Sequence, residues 1–168
     1  MGNMTETRLG SPSPLVSIQG RPAVTEPSID DGAIILHKRS AAELEILYQR
    51  RKLRQISDAD GCGTLYAYLD NGIQWKVGMT IDFPRRKAEW DRECPCPRRI
   101  WMDPIPVAYR RRAESLAHLL IEDICTDRPR RYCVKCQRKH QEVFTFRVAD
   151  TSRDSSVVWN ELLYPILS

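Results

Sequence analysis

Residues 63–80 read GTLYAYLDNGIQWKVGMT, and this stretch decides the fold. Residues 64–69 have the composition of a β-strand, and residues 73–78 have that of a second, returning strand. Between them lies Asp70-Asn71-Gly72, in which the Asn-Gly pair favours the positive φ angles of a tight turn. The stretch therefore predicts a β-hairpin.

The residues after the hairpin predict helices that flank a sheet. Asp82 caps a first helix, and Pro84 is tolerated in its early turn because the missing N–H is not needed there. Apolar residues at helical spacing predict a longer helix over residues 109–124. The remaining segments are an irregular or edge strand over 99–107, a last strand over 142–148 and a short amphipathic helix over 157–167. Together they predict an α+β fold with a small, mostly antiparallel sheet of three to four strands.

Composition divides the chain into three regions. Residues 1–33 are rich in Ser, Pro, Thr and Gly and poor in large apolar residues, so we expect a disordered tail. Residues 34–60 contain a capping box, Ser40 with Glu43, and predict a leading helix that either packs on the domain or is a solvated connector. Residues 61–168 make up the domain and its C-terminal helix.

Positive charge is clustered along the chain. The sequence has 26 Lys and Arg against 22 Asp and Glu, a formal net charge of +4. A clustered basic surface favours a partner that bears phosphate, although a solvated face is the alternative. We expect an intracellular protein of the nucleus or cytoplasm with no membrane partner, since no apolar run can span a bilayer and no signal peptide is recognisable. The candidate DNA-binding residues are Arg85, Arg86, Lys87, Arg110, Arg111 and Arg112.

Six cysteines suggest metal ligands rather than disulfides, because the chain shows no export signal. Cys133-Val-Lys-Cys136 with His140 follows the pattern C-x₂-C-x₃-H, in which two thiolates and an imidazole bind one zinc ion. A fourth ligand is expected at the end of the first domain helix, from Cys94 or Cys96. Structural zinc would fix the loop after the longer helix to the end of the first domain helix. Free reduced thiols are the alternative.

Five sequence motifs occur in order along the domain. Thr64-Leu65-Tyr66 is followed by Lys76-Val77-Gly78-Met79-Thr80, then by Arg86, then by Glu114 with His118 four residues later, and last by His140-Gln-Glu142-Val-Phe144. In this order and spacing they resemble the GIY-YIG nuclease superfamily, in the branch of the bacteriophage T-five ORF DNA-binding domain. The resemblance covers roughly residues 63–146 and implies a GIY-YIG-like fold.

The resemblance implies a site for phosphodiester chemistry. Tyr66 would be the general base, and Lys76 and Arg86 would hold the scissile phosphate. Glu114 would bind Mg²⁺ or Mn²⁺ if the protein is catalytic, and His118 would orient phosphate or water. The alternatives are strand packing for Tyr66, exposed solubilising charge for the two cations, a surface ion pair for Glu114 and a half-buried, satisfied histidine.

Three residues can be compared with the family pattern, one for the zinc site and two for the choice between binding and cutting. Cys94 resembles the single Cys that fungal relatives have here, which favours it over Cys96 as the fourth zinc ligand. Lys76 replaces the usual Tyr of the second motif and Trp90 replaces a common His, which favours binding over cutting. We therefore expect a DNA-binding domain. The alternatives are an active Mg-dependent endonuclease that makes single-strand cuts in DNA and a zinc-stapled protein-interaction module.

Overall fold

The computed structural model describes residues 34–36, 38–146 and 155–168, so the expected disordered tail lies outside the described residues. Within the described residues, no helix is both long enough and apolar enough to cross a bilayer. The helices are α1 Ala41–Leu53, α2 Phe83–Glu93, α3 Arg110–Ile124, α4 Ser155–Val157 and α5 Tyr164–Leu167, with a π-helix Val158–Leu163 between the last two. The strands are β1 Ile34–Leu36, β2 Gly63–Asp70, β3 Gln74–Thr80, β4 Ile100–Trp101, β5 Ile105–Val107, β6 Arg128–Cys133, β7 Arg138–His140 and β8 Val143–Thr145.

The main sheet is antiparallel and is built around the β2–β3 hairpin. Its strand order is β4-β2-β3-β8, and β5 pairs with β2 beside β4. In the hairpin register Tyr66 lies opposite Gly78. The turn has left-handed backbone, with φ of 54° at Asn71 and 78° at Gly72. The predicted hairpin and the predicted α+β fold with its mostly antiparallel sheet are confirmed.

The two faces of the hairpin have different neighbours. Leu65 and Leu69 belong to the main apolar core, which they share with residues of β3, α3, β8 and the C-terminal helices. Because side chains alternate along a strand, Tyr66 and Tyr68 lie on the opposite face. There the ring of Tyr68 packs edge-on against Trp90 of α2, with ring centroids 5.5 Å apart. The face that carries the tyrosines is therefore the face covered by α2.

The helix α3 is capped by a residue from outside the helix. Its own N-cap residue, Tyr109, makes no side-chain cap hydrogen bond. The carboxylate of Asp60 instead accepts hydrogen bonds from the backbone N–H groups of Arg111 and Arg112, each at 2.9 Å. Since the first N–H groups of a helix lack partners within the helix, Asp60 fixes the start of α3 relative to β2.

The helix α1 packs against α3 through apolar and ionic contacts. Leu44 of α1 is buried, and α1 begins at the Ser40 capping box that the sequence predicts. Glu122 of α3 is fully buried and accepts hydrogen bonds from Arg39 and Arg128. A buried carboxylate is costly unless it is paired, so these two arginines tie the start of α1 and strand β6 to α3.

A β-hairpin replaces the long loop expected after the longer helix. Strands β6 and β7 pair with each other, and β1 pairs with β6 to make a second, three-stranded sheet. The β6 sequence, residues 128–133, reads RPRRYC and lacks the apolar alternation that indicates a strand. Its pairing depends on long-range contacts with β1 and on the turn between Cys133 and Cys136, which is why local pattern does not reveal it.

Candidate functional site

Tyr66 sits at the centre of β2 with its phenol oxygen held between β3 and α2. The oxygen accepts hydrogen bonds from Trp90 Nε1 at 3.0 Å and from Arg86 Nε at 3.4 Å. A Cβ atom added at Gly78 would come within 2.5 Å of the phenol oxygen, so only glycine leaves room for the ring. Tyr66 is 2% exposed, so the phenol contacts its protein neighbours and almost no solvent.

The first predicted basic run lies on α2, where each cation has an acidic neighbour on the same helix. Arg85 and Arg86 pair with Glu89, and Lys87 pairs with Asp91 at 2.7 Å. These are partly or largely exposed pairs, which contribute little to stability in water. Replacing these carboxylate partners with phosphate would therefore cost the α2 cations little free energy.

The second predicted basic run begins α3, and two of its members hold main-chain oxygens. Arg110 donates to the carbonyls of Gly61 and Cys62, and Arg112 donates to carbonyls at the end of α1. Arg111 is exposed. This arrangement shows a bracing role for Arg110 and Arg112 beside the DNA contact that the sequence predicts for them.

Lys76 is buried rather than exposed, which removes the solubilising alternative considered for it. Its ammonium donates to Glu142 Oε2 at 2.7 Å and to the Gln141 carbonyl at 2.8 Å. Strand β8 pairs with β3 only as far as Lys76, so among the described residues the rest of this β3 edge has no strand neighbour. Lys76 therefore holds residues 141 and 142 next to the position on β3 at which the pairing with β8 ends.

Side chains of α3 cover the open edge of β3. His118 Nε2 lies 3.2 Å from the Val77 carbonyl oxygen, and the Met79 backbone N–H is a hydrogen-bond partner of Glu114. Tyr66 touches Gly78 between these two positions, so the phenol and the Glu114 carboxylate approach adjacent residues of one strand. The predicted base and the predicted metal ligand thus contact adjacent residues of β3, and the predicted phosphate ligand, Arg86, is bonded to the Tyr66 phenol.

Glu114, His118 and Glu142 form a group whose ligand atoms all lie within 4.8 Å of one another. Burial, and after it the neighbouring Glu142 carboxylate, raise the pKa of Glu114 to about 7. Burial lowers the pKa of His118 to about 4, which leaves the imidazole neutral at physiological pH. Glu142 lies in the segment quoted above but was not recognised as a site residue, because its contact with Lys76 spans 66 positions and leaves no local signal.

The predicted zinc ligands come together in a second group. Atoms of Cys94, Cys133, Cys136 and His140 lie within 4.8 Å of one another. The sulfur atoms of Cys94 and Cys133 are 3.4 Å apart, and Cys136 Sγ is 3.1 Å from His140 Nε2. Three thiolates and one imidazole are a donor set that tetrahedral zinc accepts, so the residues fit the ion. Cys96 lies instead beside the side chain of Asn71, at 3.6 Å.

Trp90 connects the cysteine–histidine group to Tyr66. Its ring meets that of His140 edge-on, with centroids 5.3 Å apart, while its indole N–H donates to the phenol oxygen. Arg86 also lies over the Trp90 ring, 5.2 Å from its centroid. A tryptophan therefore supplies both the donor and the packing surface at the position where the resemblance leads one to expect a histidine.

Two adjoining pockets flank Glu142. The first, of about 310 Å³, contains Glu114 and His118 and is edged by arginines. The second, of about 270 Å³, contains Lys76 and Arg86. Gln141 and Glu142 line both pockets. The arginines of the first pocket, none of which was among the candidate DNA-binding residues, are Arg39, Arg51, Arg128 and Arg130.

Comparison with known proteins identifies the family. No curated protein and no solved structure matches the chain. A family model described as the T5orf172 domain matches residues 63–157, more than half of the chain, and this stretch contains the hairpin, α2, α3 and both ligand groups. The chain therefore belongs to the T5orf172 domain family, a family of nuclease-like modules that are in general associated with DNA.

Proposed function

We propose that this protein is a DNA-binding module of GIY-YIG-like fold. The observation that supports this best is the pair of adjoining pockets with cations on both sides of Glu142. Arg39, Arg51 and Arg128 line one side, and Lys76 and Arg86 line the other. Phosphates of a nucleic-acid backbone are the ligands that such a double row of cations fits.

Several of these cations are placed to respond to a phosphate. Arg130 is exposed at the rim of the first pocket, and Arg86 has 37% of its side chain exposed. Arg51 is held by the Ser115 carbonyl at 2.8 Å, and burial together with the nearby Arg39 lowers its pKa. Crowded positive charge of this kind is relieved when an anion enters the pocket.

Salt-dependent binding tests the proposal. Fluorescence anisotropy with the full chain and labelled duplex or branched DNA should show an affinity that falls steeply as salt rises, because bound phosphates release counterions. Salt-insensitive binding contradicts the proposal. The absence of binding at low salt also contradicts it and favours a zinc-stapled protein-interaction module.

We assign zinc to the group formed by Cys94, Cys133, Cys136 and His140. Cys94 is the C-cap residue of α2, whereas Cys133 lies in β6, Cys136 in the turn that follows it and His140 in β7. Bound zinc would staple that hairpin to α2 and hold His140 against Trp90. Structural zinc contributes about 10–16 kcal/mol in finger peptides, which is large beside the stability of a small domain.

An active Mg-dependent endonuclease is the second candidate function. It is favoured by the contacts of Tyr66 and Glu114 with the adjacent residues 78 and 79 of β3, and by the bond of Arg86 to the Tyr66 phenol. Arg86 would hold the scissile phosphate with its planar guanidinium, and the metal would supply positive charge at the phosphate. The low exposure of Tyr66 is the observation against it, since a general base must reach the proton it removes.

Plasmid nicking with Mg²⁺ or Mn²⁺ separates cutting from binding. Parent protein that converts supercoiled to open-circle DNA, and a Glu114→Ala variant that binds DNA without nicking it, would support the enzyme. A variant that nicks like the parent would remove Glu114 from the metal role, and a parent that never nicks leaves DNA binding as the function.

A further inference from the structure

Glu114, His118 and Glu142 bring three side chains that can bind a metal ion to one place, with ligand atoms within 4.8 Å of one another. Glu114 and His118 are four residues apart on α3 and therefore share one face of the helix. Glu142 reaches the same place from the residue before β8 and has a left-handed backbone, with φ of 61°. Non-glycine residues seldom adopt this conformation, so the backbone at Glu142 is strained where it brings the third side chain into the group.

The tautomer of His118 follows from its partner. Its Nε2 atom lies 3.2 Å from the Val77 carbonyl oxygen, which can only accept a hydrogen bond. Nε2 must therefore carry the proton, and in a neutral ring Nδ1 has a bare lone pair. That lone pair faces Glu142 Oε1 at 3.8 Å. A cation between Nδ1 and Oε1 would accept an electron pair from each of these two atoms.

The Glu114 carboxyl group brings a third ligand atom, an oxygen, to this pair. Its oxygen lies within 4.8 Å of the ligand atoms of both His118 and Glu142. The ammonium of Lys76 does not fill the gap, because it binds Oε2 of Glu142 and leaves Oε1 turned toward His118. The three donors of electron pairs converge, and a cation is the species that satisfies them together.

Each of the three side chains is also held by an outer partner. The Val77 carbonyl orients His118, the Met79 N–H binds Glu114, and Lys76 anchors Glu142. Outer partners of this kind are typical of metal ligands, whose orientation they fix. The pocket of about 310 Å³ that contains all three side chains gives an ion a path from solvent.

We propose that Glu114, His118 and Glu142 bind one divalent transition-metal ion of the Mn²⁺ type, in preference to Mg²⁺. One imidazole nitrogen and two carboxylates suit Mn²⁺ and its neighbours in the first transition row, whereas Mg²⁺ prefers oxygen alone. The proposal deepens the second candidate function and rests on it for the purpose of the ion, but metal binding itself requires neither DNA nor cutting.

Titration with Mn²⁺ tests the proposal directly. Electron paramagnetic resonance measures the loss of the free Mn²⁺ signal, and Mn²⁺ has little affinity for the thiolates of the cysteine group. The zinc-loaded full chain should bind one Mn²⁺, and Mg²⁺ should displace it only at a concentration at least about tenfold higher than Mn²⁺ itself requires. Absence of saturable binding overturns the proposal and indicates that the group holds a shared proton instead.

Three variants locate the ion. Glu142→Gln keeps an oxygen that can accept from Lys76 yet should weaken Mn²⁺ binding at least about tenfold, as should His118→Gln. Glu45→Gln, an exposed carboxylate on α1, is the matched control and should bind like the parent. If His118→Gln leaves the preference for Mn²⁺ over Mg²⁺ unchanged, carboxylates alone hold the ion and the proposal is wrong.

Thermal unfolding of each variant, with and without Mn²⁺, separates lost binding from lost folding. The parent should gain stability when Mn²⁺ is present, and the Glu142→Gln variant should fold but show a reduced gain. DNA affinity measured without added Mn²⁺ is a separate readout. A chain that binds Mn²⁺ but not DNA refutes the proposed function alone, and one that binds DNA but not Mn²⁺ refutes this inference alone.

Discussion

Trp90 donates its indole N–H to the phenol oxygen of Tyr66 across 3.0 Å, which joins α2 to the centre of the sheet. Loss of this donor leaves a buried oxygen with a weaker set of partners. Trp90→Phe should therefore lower the free energy of unfolding by about 1–3 kcal/mol, measured by urea denaturation. Trp101→Phe removes a hydrogen bond to Asp91 that is exposed to water, and its smaller loss is the control. Equal losses in both variants would show that ring packing, not the hydrogen bond, matters.

Gly78 should tolerate no side chain. A methyl group there would meet the Tyr66 ring at 2.5 Å, so Gly78→Ala should destabilise the protein by roughly 1–3 kcal/mol and displace the phenol. Gly61→Ala is the matched control, because the nearest atom to its added Cβ is 3.5 Å away. Thermal unfolding compares the two variants. Equal melting temperatures would contradict the close approach of Tyr66 to β3.

Elemental analysis of cysteine variants should identify the zinc ligands. The parent chain should hold about one zinc, and Cys94→Ser should lose it because its sulfur lies in the group with Cys133. Cys96→Ser is the control and should keep the ion, since Cys96 lies beside Asn71 instead. Zinc that survives in Cys94→Ser and disappears in Cys96→Ser would reverse the assignment.

Glu122→Gln tests the ionic contact between α1, α3 and β6. The variant leaves Arg39 and Arg128 without their shared carboxylate in a largely buried place, so the free energy of unfolding should fall by about 3 kcal/mol. Glu93→Gln breaks a largely exposed pair with Arg138 and should cost less than about 1 kcal/mol. A Glu122→Gln variant as stable as Glu93→Gln would mean that water already screens the cluster.

Arginine variants should change the salt dependence of DNA binding. Arg86→Ala and Arg130→Ala each remove one expected phosphate contact, so each should reduce the slope of log affinity against log salt by about 1. Arg50→Ala, exposed on α1, should leave the slope unchanged. The same slope in all of these proteins would place the DNA elsewhere, with the α3 run at Arg111 as the next site to test.

Local signals were sufficient to predict the central hairpin of the main sheet and three of the helices. Asn71-Gly72 between two strand-like segments predicts the hairpin, Ser40 and Asp82 predict the starts of two helices, and periodic apolar residues predict α3. These signals work because the interactions that they report lie within a few residues. The meeting of Cys133, Cys136 and His140 with Cys94 was also predictable, because ligands of one ion recur at close spacing along a chain.

Contacts between distant segments were not predictable in this way. Strand β6 is rich in arginine, and its pairing with β1 depends on residues about a hundred positions apart. Glu142 resembles any surface carboxylate until Lys76 and His118 are seen beside it. Arg39 and Arg51 precede the stretch that matches the family, so the motifs that led to Tyr66 gave no indication of them.

Only one residue separates His140 from Glu142, and the two side chains belong to different ligand groups. The β6–β7 hairpin and the pocket that contains Glu114 therefore cannot be engineered as independent modules. Inserting residues at position 141, or grafting the hairpin from a relative with a different spacing, would change the geometry of both ligand groups at once. In a library of such chimeras, zinc content and Mn²⁺ affinity should rise and fall together.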